Sequence, residues 1–127
     1  MDKPVCHRLR GGTLEITYTL FAVGADLVLV VEGGRAHIGS VVLAAPRESL
    51  RGDGAPSATS SVLNLPAHKD EVLLRPLAER LSALSGRAAC ALGGVHLEPF
   101  DEAALREVTA LNGRAMEEAP RWLEELI

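Results

Sequence analysis

Aromatic residues are almost missing from this chain: its 127 residues include only Tyr18, Phe21, Phe100 and Trp122. A core must therefore come from Leu, Val, Ile and Ala, and a hydrophobic content of 47% supplies enough of them for one domain. A basic surplus is missing too. Thirteen Lys and Arg face 17 Asp and Glu, for a formal charge of −4. This excludes a nucleic-acid binder, because there is no basic stripe to displace counterions and no aromatics interleaved with it for bases to stack on. No apolar run approaches the ~20 residues of a membrane span; Leu27–Val31 is among the longest and reads as a buried strand. Cysteine is scarce, and Cys6 and Cys90 share no metal-binding spacing. The opening Met1-Asp2-Lys3-Pro4 is polar, without the apolar stretch of a signal peptide, so two reduced thiols in a cytoplasmic protein are expected. G-x-G-x-x-G, the P-loop lysine motif, G-x-S-x-G and H-E-x-x-H are all absent, which removes the common signals for dinucleotide or P-loop binding, serine hydrolysis and zinc proteolysis.

Regular alternation is present. From Thr13 to Phe21 the residues Leu14, Ile16, Tyr18 and Leu20 share one face and the threonines with Glu15 the other, the period of a half-buried strand. Val23-Gly24-Ala25-Asp26 supplies a turn, and Leu27–Val31, apolar on both faces, predicts a more central partner strand. Ile38–Ala45 reads as a third strand, Pro46–Ser61 as a long polar loop, and Ser61–Leu65 as a short strand. Leu74, Leu77, Ala78, Leu81 and Leu84 form the stripe of a helix opened by Asp70 and closed by Gly86, with Pro76 expected to kink it. Arg87–Leu92 reads as a short Ala-rich strand. Asp101 is the expected cap of a second helix carrying Leu105, Val108 and Leu111. Asn112-Gly113 interrupts that stripe, so 113–127 is expected as a C-terminal helical tail, with Pro120 starting a last short helix. The chain then reads as one domain over 1–127. Its class is α+β: a mostly antiparallel sheet of five to six strands with two main helices on one face.

Three segments place polar groups where the chain leaves regular structure. In the stretch from Gly33 to Ser40, His37 and Gly39 share a strand face that Gly39 leaves bare, as a ligand ring or phosphate requires; a glycine-rich turn gives the same pattern. His68-Lys69-Asp70 sits at a helix start, where free N–H groups attract anions and Lys69 adds charge, although Asp70 can simply cap there. Gly93-Gly94-Val95-His96 ends the Ala-rich strand. His37, His68 and His96 together are also a candidate metal set, without a local spacing to support it. Arg47, at the start of the polar stretch, offers a fork for phosphate or an ordinary surface charge.

In order and separation, His37-Ile38-Gly39, His68-Lys69-Asp70 and Gly94-Val95-His96 followed by Asp101 resemble the LpdD-like prenylated-flavin chaperones, the small D subunits associated with gallate-type decarboxylases. The likeness covers about Ile16 to Leu111 and leaves the tail outside. It implies a proteasome-assembly-chaperone-like fold, a homodimer, and a non-catalytic role: binding reduced prenylated FMN as cargo, without a metal, and assisting its delivery to a UbiD-type decarboxylase. On that resemblance the cofactor-binding candidates are His37, Gly39, Ser40, His68, Lys69, Gly94 and His96, and Arg47 joins them for its guanidinium fork. Two other readings stand beside it. One is an accessory or metal-dependent enzyme using the three histidines; the other is a structural assembly factor with no small ligand.

Overall fold

A computed structural model describes residues 3–66 and 70–126. The elements run β1 (Val5–Gly11), β2 (Leu14–Val23), β3 (Asp26–Gly34), β4 (Ser40–Glu48), β5 (Pro56–Asn64), α1 (Glu71–Ser85), β6 (Ala89–His96) and α2 (Glu102–Leu126). The strands form one six-stranded sheet in the order β1-β2-β3-β6-β4-β5. Every neighbouring pair is antiparallel except β3 and β6. Both helices lie on one face: α2 covers β1 and β2, and α1 covers β4, β5 and β6. The expected α+β architecture is therefore the observed one.

Alternation builds the core. Leu14, Ile16, Tyr18 and Leu20 of β2 and Leu27, Leu29 and Val31 of β3 point under the helices and are buried. Ala89 and Ala91 of β6 are small enough to let α1 approach with Leu74, Leu77, Ala78 and Leu81. Gly86 adopts φ 70° and donates its N–H to Ser82 O, closing α1 as expected. Pro76 is accommodated inside α1. The carbonyl it leaves without a helical donor is that of Val72, an exposed residue.

The sequence reading needs four corrections. Val5–Gly11, given no element, is a strand: Val5 and Leu9 face the core, but His7 stands between them and hides the alternation. Pro46–Ser61 is mostly strand, since β4 reaches Glu48 and β5 begins at Pro56; β5 is polar because it is an edge strand, half solvated. The short strand expected at Arg87–Leu92 starts at Ala89 and continues to His96. Finally, α2 runs unbroken from Glu102 to Leu126, so Asn112-Gly113 makes no break in it and Pro120 lies inside it and starts no separate helix. Asn112 does not end the helix because it is buried and bonded, accepting from Tyr18 Oη at 3.2 Å and donating Nδ2 to Leu73 O at 3.2 Å. Beyond it, Ala115, Ala119, Trp122 and Leu123 continue the buried stripe.

Candidate functional site

Topology creates the site. β3 and β4 follow one another in sequence, yet β6 lies between them, so residues 35–39 must pass over the end of β6. The crossing is tied down on both sides: Arg35 N–H donates to His96 O and Gly39 N–H to Gly93 O, each at 2.9 Å. His37 is thereby held beside His96, with ring centroids 5.7 Å apart in an edge-to-face arrangement. β5 ends at the same place, where Asn64 pairs with Ser40 and Leu65 N–H donates to Gly39 O. From there the chain enters α1.

Asp70 is the centre of the cluster. Backbone bonds from Leu73 and Leu74 to its carbonyl begin α1, but its side chain makes no cap bond, against the expectation for this residue. The carboxylate instead turns toward the sheet. Oδ1 accepts from the buried Val95 N–H at 3.0 Å, and Oδ2 lies 3.2 Å from His37 Nε2. Glycine makes this possible. A Cβ on Gly39 would overlap Asp70 Oδ2, and one on Gly94 would come within 2.7 Å of the same atom. The bare spot foreseen at Gly39 thus holds a carboxylate of the protein itself. His96 Nε2 is 2.9 Å from Glu98 Oε1, so each imidazole has an acidic neighbour.

A cavity of about 390 Å³ opens beside these groups. Its polar lining is His37, Asp70, His96 and Thr109, and its apolar walls include Leu73, Val95, Phe100, Leu105 and Val108. That volume lies in the range of small-molecule pockets, roughly 300–1,000 Å³. α2 presents Leu105, Val108 and Thr109 at helical spacing, and Asp101 fixes its start by accepting from Ala104 N–H at 2.9 Å, as the sequence suggested. One end of the cavity can exchange hydrogen bonds with a heterocycle edge while the walls take hydrocarbon.

Of the sequence-derived candidates, His37, Gly39, Gly94 and His96 converge here. Ser40 adjoins them, but its hydroxyl donates to Asn64 Oδ1. Arg47 does not join: it lies seven residues along β4, at the other end of the strand, bonded to Thr59 Oγ1 and Glu48 O. His68 and Lys69 lie outside the described residues. Among the described residues no three His, Cys, Asp or Glu side chains are grouped to hold a metal ion. Cys6 and Cys90 are free thiols on strands separated by β2 and β3.

A family model for the prenylated flavin chaperone LpdD-like domain matches residues 10–124. The chain belongs to this family. The match runs well beyond Leu111, so the second half of α2 belongs to the family domain, not outside it. Among solved structures, a yeast chain titled as part of a novel chaperone complex for 20S proteasome assembly matches with a TM-score of 0.57 and 16% identity, covering 97% of this chain and 95% of that one. At that identity the likeness concerns the fold, and it agrees with the proteasome-assembly-chaperone-like expectation. No curated protein matches. The sequence reading missed the role of Asp70 as hub, and with it the apolar wall of Phe100, Leu105 and Val108. The signal for Asp70 was present in Gly39 and Gly94, whose missing side chains needed a partner to explain them.

Proposed function

We propose that this member of the prenylated flavin chaperone family binds reduced prenylated FMN as cargo and assists its delivery to a UbiD-type decarboxylase, without turning over a substrate itself. The observation that carries the reading is the cavity beside His37, Asp70 and His96: polar at one end, hydrocarbon along its walls, and of a size for a small ring system. A reduced prenylated flavin has matching parts, a pyrimidine edge rich in donors and acceptors and an added hydrocarbon ring. On this reading the α1 start, with Lys69, takes the phosphate. Among the sequence-derived candidates the hydroxyl is that of Ser40, and it is committed to Asn64, which suits holding more than nucleophilic attack.

A homodimer is part of the proposal. The sheet face away from the helices carries two apolar rows, Val30-Leu92-Val41-Leu63 and Phe21-Val28-Cys90-Leu43, each aligned across neighbouring strands. Leu43 and Leu63 are 55% and 75% exposed there, a surface that a second copy would cover. No helix among the described residues is long and apolar enough to cross a membrane. The free thiols suit the reducing cytoplasm in which we place the protein.

Anaerobic titration of the purified protein tests the reading. Tighter binding of reduced prenylated FMN than of oxidised FMN is expected, followed by activation of an apo decarboxylase on mixing. Equal or absent binding removes the proposal.

A further inference from the structure

We infer that the wall formed by Phe100 and Leu105, backed by Val108, is the selectivity element that makes the site prefer a flavin bearing an added hydrocarbon ring over plain reduced FMN; the inference rests on the flavin reading above. The lining is chemically unequal. The hydrogen-bonding groups His37, Asp70 and His96 come from the sheet end and the start of α1, whereas the stretch from Phe100 into the first turns of α2 contributes mainly hydrocarbon.

Two details set this wall apart from ordinary core. Phe100 and Leu105 line the cavity yet are 54% and 52% exposed, so a guest seated against them would bury apolar surface that the fold leaves in water. Val108 behind them is only 2% exposed and packs into the core. The wall is also firmly placed. Asp101 caps α2, and Leu105 N–H donates to Asp101 O at 2.9 Å, which fixes Leu105 on the first turn.

Selectivity follows from which ligand parts the two regions can contact. The pyrimidine edge is common to plain and prenylated reduced FMN, so the polar end supports both alike. The extra ring has no hydrogen-bonding capacity and gains only from hydrocarbon contact. Each methylene-sized contact in an apolar pocket discriminates by about tenfold or more.

The test is anaerobic titration with two probes, reduced prenylated FMN and reduced FMN. It uses the wild type, Phe100→Ser, Leu105→Ser and, as a control, Leu50→Ser, which lies 88% exposed in the β4–β5 connection away from the cavity. The wild type should prefer the prenylated ligand by about tenfold or more, and each wall variant should lose about tenfold toward it while keeping reduced FMN within about twofold. Leu50→Ser should match the wild type. Equal weakening of both ligands, or no weakening of either, overturns the inference, as does a wild type that binds both equally. A wild type that binds neither overturns the flavin reading itself, a distinct result. Thermal melts monitor folding; should Leu105→Ser fail to fold, Phe100→Ser, which lies outside the helices, decides the question.

Discussion

Replacing Gly39 with Ala puts a methyl group where the carboxylate of Asp70 now lies. The new Cβ would overlap Oδ2 and approach Asp70 Cγ and His37 Nε2 to 2.9 Å. Gly39 is not among the positive-φ glycines, so its backbone accepts alanine and the whole cost is steric. Relief requires the carboxylate to move, which breaks its 3.0 Å bond from Val95 N–H and its 3.2 Å pairing with His37. A buried N–H left without an acceptor costs about 1–3 kcal/mol, and the lost contact to His37 brings the expected total to roughly 2–4 kcal/mol. At about 4 °C per kcal/mol for a domain of this size, the melting temperature should fall by roughly 8–16 °C. The decisive comparison is a double-mutant cycle with Asp70→Ala, measured by thermal or urea unfolding. With the carboxylate gone, Gly39→Ala should cost little, giving a coupling well above the ~0.5 kcal/mol expected of independent sites. Additive costs would refute the claim that Gly39 is bare in order to admit Asp70.

Four further outcomes are expected. Lys69→Ala should weaken reduced prenylated FMN by about 1.5–3 kcal/mol if that ammonium contacts the phosphate, and unchanged affinity in anaerobic titration would remove the role. Burial pushes the Tyr18 phenol far above its ordinary range, so the folded state keeps a proton that the unfolded chain releases near pH ~10. Its stabilising contribution is therefore intact below about pH 10 and lost as the pH rises above it; Tyr18→Phe should flatten the alkaline limb of a stability–pH curve, and an unaltered slope would contradict this. Burial also raises the Cys90 thiol, whereas Cys6 is exposed, so a disulfide reagent at pH 8 should modify Cys6 first, as single Cys→Ser variants would reveal. Leu92→Glu puts a charge at the middle of the bare sheet face and should yield a monomer by light scattering; an unchanged dimer would move the interface elsewhere.

How much was legible depends on how local each cause is. β2, the turn at Gly24, β3, the α1 stripe apart from the exposed Leu84, and its Gly86 stop could be read directly, because period, turn residue and cap are properties of adjacent residues. β1 was hidden by a distant contact: His7 takes an inward strand position because Trp122 stacks on its ring, with centroids 5.2 Å apart. β5 was hidden by its place at the sheet edge, where one side needs no hydrophobic cover. The continuation of α2 through Asn112-Gly113 depends on Tyr18 and Leu73, 94 and 39 residues away from Asn112.

The same division holds for the site. Sequence alone determined that glycines and imidazoles recur at the ends of elements, and the order of those motifs carried the resemblance to the family whose model matches residues 10–124. Only the tertiary structure decided which of those residues meet. Strand order is a long-range choice: placing β6 between β3 and β4 carries residues 35–39 over His96, brings Asp70 to Val95, and leaves Arg47 at the far end of β4. Short-range propensities do not encode that insertion, because the pairings that make it join residues far apart in sequence, such as Leu27 with Ala89 and Ser40 with Gly93.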